Sequence, residues 1–102
     1  MPEHVIAAER RWYAVAPDGQ DHDLVIRVSA PYVDDGVWRA EVSLGVLEKR
    51  SHSIAGEDSW QALFLAMSFA ATRVGHFAED GWSFYWERGG ERAAPEDLLN
   101  VS

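Results

Sequence analysis

Four histidines, His4, His22, His52 and His76, and 17 carboxylate side chains are the groups in this sequence that could hold a metal or move a proton. No two histidines stand four residues apart and no His-Glu-x-x-His occurs, so the helical zinc spacing is missing. Asp18, Asp21, His22 and Asp23 crowd one short stretch. A calcium loop counted from Asp18 would need a bidentate Glu where this chain has Ser29. Together with Asp80, the residues Asp18, Asp21 and Asp23 are the carboxylates a folded chain could gather around a divalent cation. A solvated acidic turn accounts for the same residues without a ligand, so no metal is expected.

Catalytic patterns are equally sparse. Ser51-His52-Ser53 sets hydroxyls beside an imidazole, but neighbours on a strand point to opposite faces. There is no Gly-x-Ser-x-Gly elbow, and Gly89-Gly90 lacks the following Lys-Ser/Thr of a phosphate-cradling loop. The chain has no Cys, which removes disulfides, thiolate metal ligands and cysteine nucleophiles together. No residue is therefore named as catalytic, no cofactor is expected, and the chain reads as a non-enzyme.

Charge narrows the partners. Seventeen acidic residues against 9 basic ones leave a net charge of −8. Such a surface repels phosphate backbones and acidic lipids, so neither nucleic acid nor a membrane is an expected partner. A basic protein would be steered toward it. No apolar run approaches the roughly 18 residues a membrane span needs. The opening Met1-Pro2-Glu3-His4 carries no basic segment leading into an apolar one, so no signal peptide is expected. With the absence of Cys, this points to the cytoplasm. Eight of the 9 bases are Arg, and Lys49 alone is Lys. With many Ala residues, that usage suggests a GC-rich bacterial genome.

The elements that would position any site are well marked. At 102 residues the chain is expected to be one domain (1–102), with its core over about 5–88 and a polar tail over 89–102. Ile6 to Ala16 reads as a strand ending at the turn Pro17-Asp18-Gly19. Leu24, Ile26, Val28 and Ala30 alternate with Arg27 and Ser29 on a second. Trp38, Ala40, Val42 and Leu44 alternate with Arg39, Glu41 and Ser43 on a third, and the more polar Glu48 to Ile54 suits an edge. Asp58 then caps a helix running from Ser59 to about Phe77, with Gln61 completing a capping box. Leu63, Ala66, Met67, Ala70, Val74 and Phe77 share its inner arc. Trp82 to Glu87 forms a last strand.

The expected fold is thus α+β: a five-stranded, mainly antiparallel sheet in the order β-β-β-β-α-β, with one long helix on one face. The last strand can pair antiparallel beside the first, or parallel beside the fourth through a right-handed crossover. The antiparallel placement keeps the sheet uniform.

The stretch Gly56-Glu57-Asp58-Ser59-Trp60-Gln61-Ala62-Leu63, followed by Leu65-Ala66, resembles the hallmark of a small bacterial family of unknown function. In that family Gly-x-Asp-Ser-x-Gln-Ala-Leu opens the only long helix. Pro17-Asp18-Gly19 and the strand around Trp38 resemble it as well, so the likeness covers residues 10–87. The resemblance implies the same fold. It implies no activity and no catalytic residue, because the family carries no assigned activity. Members often have Cys in the third strand where this chain has Ala40, which argues against a thiol role there.

What remains is apolar surface. Trp60, Phe64, Leu65 and Phe69 lie on the helix flanks, beyond the arc one sheet face would bury. They are the expected interaction surface, for another protein or for a second copy of the chain. Leu98, Leu99 and Val101 of the tail offer a competing account, since they could cover part of it. The leading reading is a protein-interaction module, with an immunity- or antitoxin-like protein as its specific version. The alternative is a small-ligand domain with an aromatic pocket between helix and sheet, lined by Trp38, Trp82 and Trp86 with Phe64.

Overall fold

The structure, a computed structural model, describes residues 4–99; Val101 of the tail lies outside them. Its elements run β1 (Ile6–Val15), β2 (Asp21–Ser29), β3 (Tyr32–Asp34), β4 (Val37–Ser43), a 3₁₀ turn (Gly45–Leu47) and β5 (His52–Gly56). Then come α1 (Ser59–Glu79), β6 (Ser83–Tyr85), β7 (Arg92–Ala93) and a second 3₁₀ turn (Pro95–Leu98). The fold is α+β with one long helix and an antiparallel sheet. The sheet has seven strands rather than the five expected.

Both extra strands have a physical origin. β4 carries β5 along one edge, while β2 and β3 share the other. They are two parts of one interrupted strand. Val28 pairs Val42 and Tyr32 pairs Arg39, so Ser29, Ala30 and Pro31 stand opposite only Ala40 and Glu41. That one-residue excess is a bulge, placed where Pro31 has no N–H to donate. The buried Ser29 hydroxyl fills the gap in the ladder by accepting from the Glu41 N–H at 2.8 Å. Pairing resumes beyond it as β3. The second addition comes from the supposed polar tail. Ala93 pairs Phe84, is 3% exposed and joins the core.

The last strand takes the antiparallel position. β6 pairs β1 through Tyr13↔Tyr85 and Val15↔Ser83, giving the path β3-β4-β2-β1-β6-β7. It is shorter than the expected Trp82–Glu87 run. β5 starts later than expected too: residues 48–51 bend without pairing, and the strand runs over His52–Gly56. Strand β1, whose faces the sequence leaves ambiguous, puts Trp12 and Ala14 inward and Tyr13 outward. On the outer face, Glu9 bridges Arg11 at 2.8 Å and Arg27 at 3.0 Å. Those two guanidiniums hold its carboxyl below the usual carboxylate range.

The helix begins where expected. Asp58 accepts from the Gln61 N–H at 2.8 Å. The Gln61 side chain accepts from the Glu57 N–H at 2.7 Å, one residue before the position a capping box uses. Asp58→Ala is expected to cost about 1 kcal/mol, lowering Tm by about 4–8 °C. An unchanged calorimetric melt would contradict that role for the cap.

Alanine dominates the buried stripe of α1: Ala62, Ala66 and Ala70, with Val74. The stripe is turned toward Ala62 and away from Met67, which is 36% exposed instead of core-facing. Small residues let the helix lie close to Ala40 and Val42 of β4. They also leave its large side chains at the margins.

One ionic cluster ties the loop before β5 to the helix. The Glu48 carboxylate accepts from His52 Nε2 and from Arg73 of α1. The hydrogen bond from His52, and then that from Arg73, hold the Glu48 pKa below its ordinary 4.5. A depressed carboxyl stabilises the fold above the unfolded pKa, and that stability is lost as pH falls through the folded one. Glu48→Gln should therefore cost about 1–2 kcal/mol at pH 7 and much less well below pH 4.5. Urea melts at the two pH values check this; an equal deficit at both would contradict it.

Candidate functional site

Trp60, Phe64 and Met67 stand at i, i+4 and i+7 on α1, so they form one stripe. Trp60 is 84% exposed and Phe64 59%. Of the four flank residues expected to form the interaction surface, the structure brings these two together. Leu65, 37% exposed, and Phe69 lie on the other flank. Phe69 packs partly into the core, with its ring 4.8 Å from that of His52. From Ser59 to Thr72 the helix carries no charged side chain on any face.

Beside the stripe runs a groove of about 90 Å³. Ile26 and Val28 of β2 floor it, Ala8 and Arg10 of β1 form one wall, Met67 forms the other, and Leu98 closes it. Met67 belongs to both groove and stripe, so the two are one continuous apolar surface. The 3₁₀ turn over Pro95–Leu98 packs along the next part of the helix. There Ala71 is 9% exposed, and Pro95 lies 3.9 Å from where a Gly75 Cβ would be. The tail therefore covers the C-terminal half of this flank. Among the described residues, nothing covers Trp60 and Phe64.

Arg10 is the one cation at the groove, and it is already engaged. Its guanidinium lies 5.0 Å from the Trp86 ring centre and 5.7 Å from that of Trp12, and it donates to the Asp97 carbonyl at 3.4 Å. The sequence reading does not place Met67 and Arg10 on this surface, and it offers Leu98 only as part of a segment that could cover it. Met67 falls inside a nominal helical arc. Arg10 lies on β1 opposite Ile26 of β2, and Leu98 is placed by the turn that follows β7.

The three tryptophans of the expected ligand pocket do not meet in one cavity. Trp38 sits on β4, separated from β6 by both β2 and β1. Trp82 is half-buried against Phe77, with ring centres 6.4 Å apart and near-perpendicular planes. Trp86 is 42% exposed and set edge-on to Trp12 at 5.5 Å. An open concavity of about 580 Å³ lies on the outer sheet face, lined by Tyr13, Asp21, Tyr85 and Arg88 and by none of those tryptophans.

The acidic residues also disperse. Asp18 accepts from the Gln20 N–H at 3.0 Å, which is turn architecture. Asp21 accepts from the Tyr13 hydroxyl, and Arg88 is 3.9 Å away. Asp23 lies exposed opposite Tyr13, and Asp80 caps the end of α1. Among the described residues no three His, Asp or Glu side chains are grouped to hold a metal ion. Among them, too, no helix is long and apolar enough to cross a membrane.

Comparison with known proteins gives one match. The family model described as a domain of unknown function (DUF6968) matches residues 8–95. No curated protein and no solved structure matches the chain.

Proposed function

The chain belongs to the DUF6968 family, and we propose that it is a protein-interaction module whose contact surface is the Trp60–Phe64–Met67 stripe and the groove beside it. The observation that carries this reading is the exposure of Trp60 at 84% and of Phe64 at 59% on a helix face without charge. Large aromatic side chains clustered in water mark contact surfaces, since covering them gains on the order of 25 cal/mol per Å². An aromatic anchor beside an apolar groove is also the usual make-up of a binding hot spot. No catalytic role accompanies this reading, and the cytoplasm is its expected setting.

Placing a photo-crosslinking amino acid at position 60 or 64 in the native host tests the proposal. Protein adducts are expected from both positions and not from His76, which is exposed on the polar side of α1. No adducts from 60 or 64 beyond the His76 background would sink it. The stripe also predicts a stability result. Trp60→Ser and Phe64→Ser should each change unfolding free energy by no more than about 0.5–1 kcal/mol, because neither ring is in the core. A loss of several kcal/mol in a denaturant melt would assign the rings to the fold instead.

A further inference from the structure

We infer that the partner of this surface is an amphipathic helix whose apolar face is flanked by Lys or Arg, and not a second copy of this chain. The inference rests on the interaction reading above and adds the chemistry of the occupant. The apolar part follows from the shape of the surface. Trp60, Phe64 and Met67 form a ridge with helical spacing, and the groove floored by Ile26 and Val28 runs beside it. A helix packed against that ridge meets it with side chains at i, i+3, i+4 and i+7, and the groove, at about 90 Å³, takes one of those apolar side chains.

The basic part follows from what bounds the surface. The helix itself supplies no charge between Ser59 and Thr72. At one end stand the exposed Glu57 and Asp58, ahead of Trp60. At the other end, in the turn that closes the groove with Leu98, stand the exposed Glu96 and the half-buried Asp97. The one cation at the groove, Arg10, is held against Trp86 and the Asp97 carbonyl. An uncharged aromatic stripe with carboxylates at both ends, beside a groove where Glu9 accompanies the engaged Arg10, on a chain of net charge −8, attracts a cationic segment and repels its own copy. A methionine at the shared wall suits such a surface, since its unbranched thioether adapts to different anchors.

The test uses the full chain and two synthetic peptides about four to five turns long with identical Leu spacing. One carries Lys on its polar face and the other Glu; both are fluorescein-labelled and followed by anisotropy, with light scattering on the protein alone. The Leu/Lys peptide is expected to bind at one per chain, with affinity falling as salt rises. Binding should weaken at least about tenfold in the Trp60→Ser/Phe64→Ser variant, and the Leu/Glu peptide should not bind. Failure of the Lys peptide to bind, or equal binding of the Glu peptide, would overturn the inference. So would a dimer that the double variant dissolves. The photo-crosslinking result would still stand in each of those cases, and with it the interaction reading. Lys-peptide binding that ignores the double substitution would show adhesion to net charge alone and would overturn the inference as well.

Discussion

Gly56→Ala should lower the unfolding free energy by about 3–5 kcal/mol, a large share of the total stability of a domain of this size. A Cβ at position 56 would lie 2.4 Å from the Ala62 N, 2.7 Å from the Ala62 Cα and 2.9 Å from the Gln61 carbonyl carbon. All three are backbone atoms in the first turn of α1, so no rotamer change relieves the clash. The helix start would have to lift off the end of β5. Ala62, which is fully buried there, would lose its place in the core. The contrast with Asp58→Ala is informative. That substitution removes one cap bond and should cost about 1 kcal/mol, whereas Gly56→Ala obstructs the seating of the helix on the sheet. Circular dichroism melts of the two variants, run together, check both the sizes and the order. Near-equal melting temperatures would show that the Gly56–Ala62 approach relaxes freely.

Phe84→Ala should be nearly as damaging, at about 3–5 kcal/mol. Phe84 is 1% exposed and is among the largest fully buried side chains, with its ring 6.0 Å from that of Trp12. It sits on a strand of three residues. β6 is held to β1 by Tyr13, Ala14 and Val15, and it in turn holds β7. The turn over Pro95–Leu98 that lies on α1 follows directly. The cavity left by the ring would loosen that whole chain of contacts. Amide exchange should then show residues 83–85, 92–93 and 95–98 losing protection before β2 and β4. A global loss under about 1 kcal/mol, or uniform deprotection of the sheet, would show that the C-terminal segment is anchored elsewhere.

Gly56 also shows how much of a motif has a purely structural cause. In Gly-x-Asp-Ser-x-Gln-Ala-Leu, Gly56 admits the helix backbone, Asp58 caps it, Gln61 returns a bond to Glu57, and Ala62 begins the buried stripe. Four of the eight positions therefore serve to start and seat one helix. Trp60 takes no part in that seating, and it is the most exposed large hydrophobic among the described residues.

Local chemistry in the sequence determined a good deal. The Asp58 cap, the turn at Pro17-Asp18-Gly19 and the period-two alternation of Leu24–Val28 and Trp38–Leu44 each act through neighbours a few residues apart. The α+β class, the helix start and most of the core follow from them. Tertiary structure decided the rest. The β2–β3 bulge depends on Ser29 meeting Glu41 twelve residues away, and β7 depends on Ala93 finding Phe84. The open flank was decided in the same way. Helical periodicity assigns Met67 and Leu63 to an inner arc; Leu63 does pack against the core, but the close approach at Gly56 turns Ala62 toward the sheet and leaves Met67 at the margin. The Pro95–Leu98 turn then lies on the helix near Ala71, and among the described residues none covers Phe64. A helix that seats itself on alanines keeps its aromatic rings outside, and which of them stay uncovered depends on how far a distant segment reaches along it.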